Sequence, residues 1–182
     1  MTETLTKDKT RETKVDHGAD QPLRVCFVCT GNTCRSPMAQ AVANALAAQT
    51  LTAFPPSIRS LMQPPVEAFS AGLYANDGEP IASNAVAALE NASVASVAAH
   101  DYHAHTAHTL TEAEADQYDL LIGLSDRHVF ELLMRFPNLA QRIVRMPKPI
   151  PDPFGGDLER YTSCLAEITE GVKELLFAGT DV

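Results

Sequence analysis

Apolar residues fall along the chain in two alternating periods. Four short runs rich in β-branched and aromatic residues, "LRVCFVC" (23–29), "VEAFSAG" (66–72), "YDLLIGLS" (118–125) and "RIVRMP" (142–147), read as strands of a buried parallel sheet. Segments with helical spacing separate them. "SPMAQAVANALAAQ" (36–49) places Ser36 as N-cap and Pro37 at the first helical position, ahead of a run of alanines. "PIASNAVAALENA" (80–92) is expected to begin a helix at its proline, and "TEAEADQ" (111–117) is a short acidic helix. "DRHVFELLMRF" (126–136) stops before Pro137, and "DLERYTSCLAEITEGVKELLF" (157–177) is amphipathic. "TLTAFPPSIRSLMQPP" (50–65), with two Pro-Pro pairs, reads as a surface loop, and "KPIPDPFGG" (148–156) as a rigid one.

Strands alternating with helices require right-handed crossovers. The expected fold is therefore α/β, a small four-stranded parallel sheet with helices on both faces, flavodoxin-like. Ligands of such sheets sit at the carboxyl ends of the strands, near the topological switch point. Both "CTGNTCRS" (29–36) and "DPFGG" (152–156) fall at such ends. Residues 1–21 are charged and without periodicity, and read as a disordered tail. Residues 22–182, with neither repeats nor a linker, read as a single domain.

Composition narrows the function classes. The chain of 182 residues is 45% hydrophobic, enough for a real core. A formal net charge of −9 argues against a nucleic-acid partner, though a local nest of amides and one arginine can still hold an anion. No apolar run is long enough to cross a membrane, and the N-terminal stretch lacks the apolar core of a signal peptide. The four cysteines do not form a secreted disulfide framework and point to a reducing cytoplasm. Cys26 and Cys29 form the single C-x2-C, on opposite faces of the first strand, so no metal site is expected.

The chemistry is concentrated between the first strand and the first helix. Curled around one centre, Thr30, Gly31, Asn32, Thr33, Cys34 and Arg35 can aim successive backbone N–H groups inward. Gly31 is expected to supply the backbone freedom that the curl needs. The helix that follows contributes its positive end, and Arg35 a planar fork for two phosphate oxygens. This potential converges on Cys29, whose thiol is expected to be ionised and in line to attack a bound phosphoryl group. Asp152, between two prolines, is expected to protonate the leaving atom and then, ionised, to activate the hydrolytic water. Inorganic phosphate or a similar oxyanion would fill the same cradle, and the chemistry calls for no cofactor. Cys34 has two readings, a reversible disulfide with Cys29 or a packing residue. Cys26 and Cys164 are read as core.

"VCFVCTGNTCRSPMAQAV" (25–42) resembles the active-site signature of the low-molecular-weight protein tyrosine phosphatase family. "DPFGG" resembles that family's general-acid loop, while "FSAG" (69–72) and the H-x4-L-T from His105 to Thr111 match in order. The resemblance covers roughly residues 23–178 and implies the phosphotyrosine phosphatase I fold and a phosphorylated protein as substrate. It implies Cys29 as nucleophile, Arg35 as phosphate clamp and Asp152 as acid, then base. Asn32, Ser36, Ser70 and His105 would form the network holding the loop, although His100, His103 and His108 leave the register of the histidine match open. Members acting on phosphotyrosine commonly carry an aliphatic residue at the Thr33 position and tyrosines after the acid. The subgroup resembling bacterial protein arginine phosphatases carries threonine there, and Phe154 with two glycines fits it as well. The resemblance thus leans to phosphoarginine, with phosphotyrosine as the alternative. Arsenate reduction is a rival on the same cradle, but no cysteine lies between Cys34 and Cys164 to relay a disulfide. A non-catalytic phosphate-binding module would not need Arg35 and Asp152 together.

Overall fold

The structure is a computed structural model that describes residues 21–53, 65–92 and 101–178. The expected N-terminal tail up to residue 20 and the proline-rich stretch from 54 to 64 lie outside the described residues. Four strands form one sheet: β1 (Leu23–Cys29), β2 (Val66–Gly72), β3 (Leu120–Gly123) and β4 (Ile143–Arg145). Every pairing is parallel, in the order β2-β1-β3-β4. The chain leaves β1 toward one side to make β2, then returns to the other side to make β3. The topological switch point is therefore the carboxyl end of β1, where Cys29 sits.

Among the described residues five α-helices cover the sheet: α1 (Arg35–Ala53), α2 (Ser83–Asn91), α3 (Glu112–Ala115), α4 (Asp126–Arg135) and α5 (Leu158–Leu176). The period-two alternation of β1 divides the core. Val25, Phe27 and Cys29 face a cluster with Met38 and Val42 of α1, Leu89 of α2 and Leu165 and Ile168 of α5. Cys26 and Val28 face the other cluster, with Ala115, Leu132 and Phe136. Helices thus lie on both faces, and the two cysteines of the C-x2-C point to opposite sides.

Alanine at 39, 41, 43, 45 and 47 is buried throughout, which lets α1 lie close against β2. That approach brings Asn44 to the outer edge of β2 at Ala68. The Asn44 side-chain amide donates to the Ala68 carbonyl at 3.0 Å and its oxygen accepts from the Ala68 N–H at 2.9 Å. Edge-strand polar groups are thereby satisfied from within the fold.

Three expectations about local structure need correction. α1 starts at Arg35, so Cys34 precedes it and Ser36 lies inside the first turn. Pro37 is tolerated there because the first N–H groups of a helix have no intrahelical acceptor. α1 also runs to Ala53, past the expected end at Gln49. α2 starts three residues after Pro80, which instead forms an isolated antiparallel bridge with Thr106. Two short 3-10 segments, Tyr102–Ala104 and Pro137–Arg142, were not anticipated, being too short to show a period.

Gly123 ends β3 where α4 turns back on it. A Cβ there would stand 2.7 Å from Val129 Cγ2 and 2.9 Å from the Val129 nitrogen. Gly123→Ala should therefore lower stability by about 1–3 kcal/mol through overpacking, read as a lower midpoint in urea unfolding with an unchanged slope.

Candidate active site

The carboxyl end of β1 runs directly into the loop Cys29–Arg35. The carbonyls of this loop are held from outside it. Leu73 N–H donates to the Cys29 carbonyl and Tyr74 N–H to that of Thr30, both at 2.9 Å, and Ala82 N–H to that of Thr33 at 2.8 Å. His105 Nε2 donates to the Asn32 carbonyl at 2.8 Å. Because a trans peptide sets its C=O and the following N–H in opposite directions, the N–H groups of Thr30, Gly31, Thr33 and Cys34 point the other way. That is the concave side of the loop, where Asn32 N–H already reaches Cys29 Sγ at 3.3 Å. The result is an anion nest around a sulfur atom.

Asn32, not Gly31, carries the left-handed backbone, with φ of 55°. A Cβ at Gly31 would meet nothing closer than Thr33 Oγ1 at 3.9 Å. The expectation that Gly31 supplies the curl is thus corrected: asparagine tolerates this conformation when its side chain is bonded locally. Asn32 Nδ2 donates to Ser36 Oγ and to Ser70 Oγ, each at 3.0 Å. Its Oδ1 accepts from His108 N–H at 3.1 Å, and Ser70 Oγ donates onward to Gln40 Oε1 at 2.7 Å. Ser36 Oγ lies 3.0 Å from Cys29 Sγ. The expected N-cap hydroxyl is instead spent on the sulfur, and that demand explains why the helix starts before it.

Of the neighbouring histidines, the His105 ring is the one bonded to Asn32. The His103 ring lies 3.7 Å from Glu90 and the His108 ring 2.8 Å from Glu114, while His100 falls outside the described residues. The main chain of His108 and the side chain of Gln40 join the network without any signal in the sequence.

Arg35 is buried, its side chain 8% exposed. Its Nη2 lies 2.6 Å from Asp152 Oδ2, whose side chain is 52% exposed. Arg35 Nε is buried with no acceptor among the described residues, and such orphans in native folds call for a partner that arrives. The acid loop is held independently. Gly156 N–H donates to the Pro153 carbonyl at 2.9 Å, and Gly155 has φ of 75°, as the third residue of a type II turn requires. Arg160 Nη2 donates to the Asp152 carbonyl at 2.7 Å, and Phe154 N–H to Asp152 Oδ1 at 3.2 Å.

Thr33 is half-buried, with Oγ1 3.6 Å from Cys34 Sγ. Cys34 Sγ lies 3.1 Å from Tyr161 Oη, and burial pushes its thiol up. Cys164 is also buried, facing the Pro151 carbonyl at 3.6 Å, and burial pushes its thiol up to about 12. Thr30 Oγ1 lies 3.1 Å from His128 Nε2. Burial, reinforced by the Arg35 charge, pushes the His128 imidazole down to about 4. Among the described residues no group of three or more His, Cys, Asp or Glu side chains is placed to hold a metal ion.

A model of the family described as low molecular weight phosphotyrosine protein phosphatase matches residues 24–181. The chain is 29% identical over 154 residues to a protein-arginine-phosphatase of Geobacillus stearothermophilus, covering 81% of this chain and 89% of that protein. It is 31% identical over 169 residues to a low molecular weight protein-tyrosine-phosphatase of Streptomyces coelicolor, covering 85% and 92%. The solved low molecular weight protein tyrosine phosphatase from T. tengcongensis superposes with a TM-score of 0.72 at 31% identity, over 85% of this chain and 98% of that one.

Two outcomes follow for stability. Asn32→Ala should cost about 2–4 kcal/mol, from lost buried hydrogen bonds and a strained φ. Asn32→Gly should cost about 1 kcal/mol less, since glycine tolerates the conformation; urea unfolding of the three proteins checks this. His128 stays neutral in the folded protein down to about pH 4, whereas in the unfolded chain it binds a proton below 6.5. Folding therefore loses free energy as pH falls through that window, by a total on the order of 3 kcal/mol. Unfolding free energy measured from pH 7 to 4 should show this component in the wild type and not in His128→Gln.

Proposed function

The chain belongs to the low molecular weight phosphotyrosine protein phosphatase family, and from that premise we propose that it is a protein phosphatase acting through a phosphocysteine, with phosphoarginine as its preferred substrate. The observation that carries the reading is the Cys29 sulfur, receiving Asn32 N–H at 3.3 Å and lying 3.0 Å from the Ser36 hydroxyl, in the same loop as a buried guanidinium. These two contacts hold the sulfur on the concave side of the loop, where a nucleophile inside an amide nest meets a bound phosphoryl group head-on.

The steps then balance with the chain's own groups. The phosphoryl dianion settles on the loop amides and takes over the Arg35 fork, Nε included. Cys29 attacks phosphorus, an S–P bond forms, and the P–N or P–O bond to the leaving group breaks. Asp152, released from Arg35 and facing phosphoryl oxygens, takes up a proton from solvent and delivers it to the departing atom. As a carboxylate it then takes a proton from the water that attacks phosphorus. The S–P bond breaks, and the sulfur is received by Ser36 and Asn32 N–H. Cys34 and Cys164 keep their thiols buried, which supports hydrolysis over the disulfide relay that arsenate reduction would need.

Phosphoarginine is favoured by Thr33, whose hydroxyl stands in the loop where a hydrocarbon would suit an aromatic ring. Phe154, 75% exposed on the acid loop, offers a face for a planar guanidinium. The protein-arginine-phosphatase of G. stearothermophilus supports the same choice. Phosphotyrosine remains the second reading, supported by the S. coelicolor relative. Four unpaired cysteines support a cytoplasmic setting, and no helix among the described residues is long and apolar enough to cross a membrane.

Cys29→Ser should abolish turnover of an aryl phosphate; retained activity would remove the mechanism. Asp152→Asn should slow poor leaving groups roughly 10²–10⁴-fold and activated aryl esters far less, read from kcat across a leaving-group series. Wild type should prefer phosphoarginine peptides to phosphotyrosine peptides, and Thr33→Ile should move that ratio of kcat/KM toward phosphotyrosine by roughly tenfold. A wild type that prefers phosphotyrosine would leave the second reading standing.

A further inference from the structure

The first turn of α4 is pressed against the end of β3, and this brings a buried imidazole to the phosphate loop. Ser125 caps the helix, its Oγ accepting His128 N–H at 3.4 Å. The His128 ring, in a residue only 2% exposed, is gripped at both nitrogens. Nδ1 lies 3.0 Å from Ser125 Oγ and Nε2 lies 3.1 Å from Thr30 Oγ1. Thr30 follows Cys29 directly and is exposed, its carbonyl pinned by Tyr74 N–H and its own N–H on the concave side of the loop.

Counting hydrogens fixes the direction of this chain. The Ser125 oxygen already accepts the helix N–H, and giving its one hydrogen to Nδ1 leaves the proton of a neutral imidazole on Nε2. Nε2–H then donates to Thr30 Oγ1, so the Thr30 hydrogen cannot turn inward. The opposite tautomer would draw that hydrogen into the protein and leave the Ser125 hydrogen without an acceptor among the described residues. The charges that act on the ring, those of Arg35, Glu131, Asp152 and Arg127, include the guanidinium and the carboxylate of the proposed site. We infer that His128 is a positioning residue for catalysis, turning the Thr30 hydroxyl outward so that it donates to an oxygen of the bound phosphoryl group. This rests on the phosphatase reading above.

Side-chain length separates this role from a packing one. A glutamine amide at 128 can reach Thr30 Oγ1 from the place of Nε2, whereas an asparagine amide falls short. Thr30→Val and His128→Asn should each weaken inorganic phosphate binding by roughly tenfold to a hundredfold, the range of a hydrogen bond to a charged group, and lower kcat/KM for a phosphopeptide alike. His128→Gln should restore most of the loss, and His128→Asn should add little in the Thr30→Val background, because one interaction cannot be lost twice. Thr30→Val binding phosphate as the wild type does would overturn the inference. So would equal losses for His128→Asn in both backgrounds, or equal losses for the Gln and Asn variants. Phosphate binding by titration calorimetry does not depend on turnover. A wild type that binds phosphate in this pattern yet hydrolyses neither phosphoarginine nor phosphotyrosine peptides would therefore defeat the proposed function and leave the positioned phosphate contact standing.

Discussion

Asn32 is the point on which the site turns. Its backbone sits in a left-handed conformation that costs a non-glycine residue about 1 kcal/mol or more, at the tip of a loop that belongs to neither β1 nor α1. What holds it there is tertiary: Ser70 from β2, Ser36 from α1, and His105 and His108 from the segment before α3. These partners saturate the amide and the carbonyl, so the loop has one conformation that leaves no buried polar group of Asn32 unpaired. The same contacts reach the nucleophile. Asn32 Nδ2 donates to Ser36 Oγ, which lies 3.0 Å from Cys29 Sγ and 3.4 Å from the Ala71 carbonyl. Backbone strain at one residue and electronic support at another are thus two ends of one hydrogen-bonded unit.

Much of this arrangement is legible in the chain because it follows from short-range periods. The alternation of β1 is enough to put Cys26 and Cys29 on opposite faces, and strand–helix alternation is enough to require parallel crossovers. C-x5-R with Ser-Pro behind it could be read as a cradle because the sequence marks where a strand ends and a helix begins. The misread details are those decided by partners far along the chain. Gly31 looked like the flexible residue by local rule, yet the left-handed position went to Asn32, whose supports other than Ser36 lie 38 to 76 residues away. Ser36 satisfied every local criterion for an N-cap, and tertiary demand for its hydroxyl moved the helix start. His128 lies on an ordinary amphipathic helix, and nothing in its neighbours marks it as a residue that bonds Thr30 of the loop.

The sheet order explains how an acidic chain can hold an anion. With a net charge of −9 the average field repels phosphate, so binding must come from dipoles fixed at short range, where global charge matters less than direction. The switch point at β1 supplies that direction. The segment that leaves β2 beside this strand end supplies N–H groups, those of Leu73, Tyr74 and Ala82, that draw the loop carbonyls outward. Each captured carbonyl turns the next N–H inward. The nest is therefore made by the surroundings of the loop as much as by the loop.

Arg35 adds a condition on timing. Its fork is shared between Asp152 now and a phosphoryl group in the proposed reaction, and it cannot serve both fully. The buried partner is Arg35 and the exposed one Asp152, so displacement releases the acid loop and not the clamp. A carboxylate paired with a guanidinium has no proton to give. Once a dianion takes that guanidinium, a carboxyl facing phosphoryl oxygens is repelled if ionised and can donate if neutral. Binding of the doubly negative substrate would thus part Asp152 from Arg35 and free the acid loop to face the leaving atom. A neutral or singly charged ligand has less to offer the guanidinium, and would leave the pair closed. Selection for a dianion then comes from the ion pair that it must replace as well as from the amides that receive it.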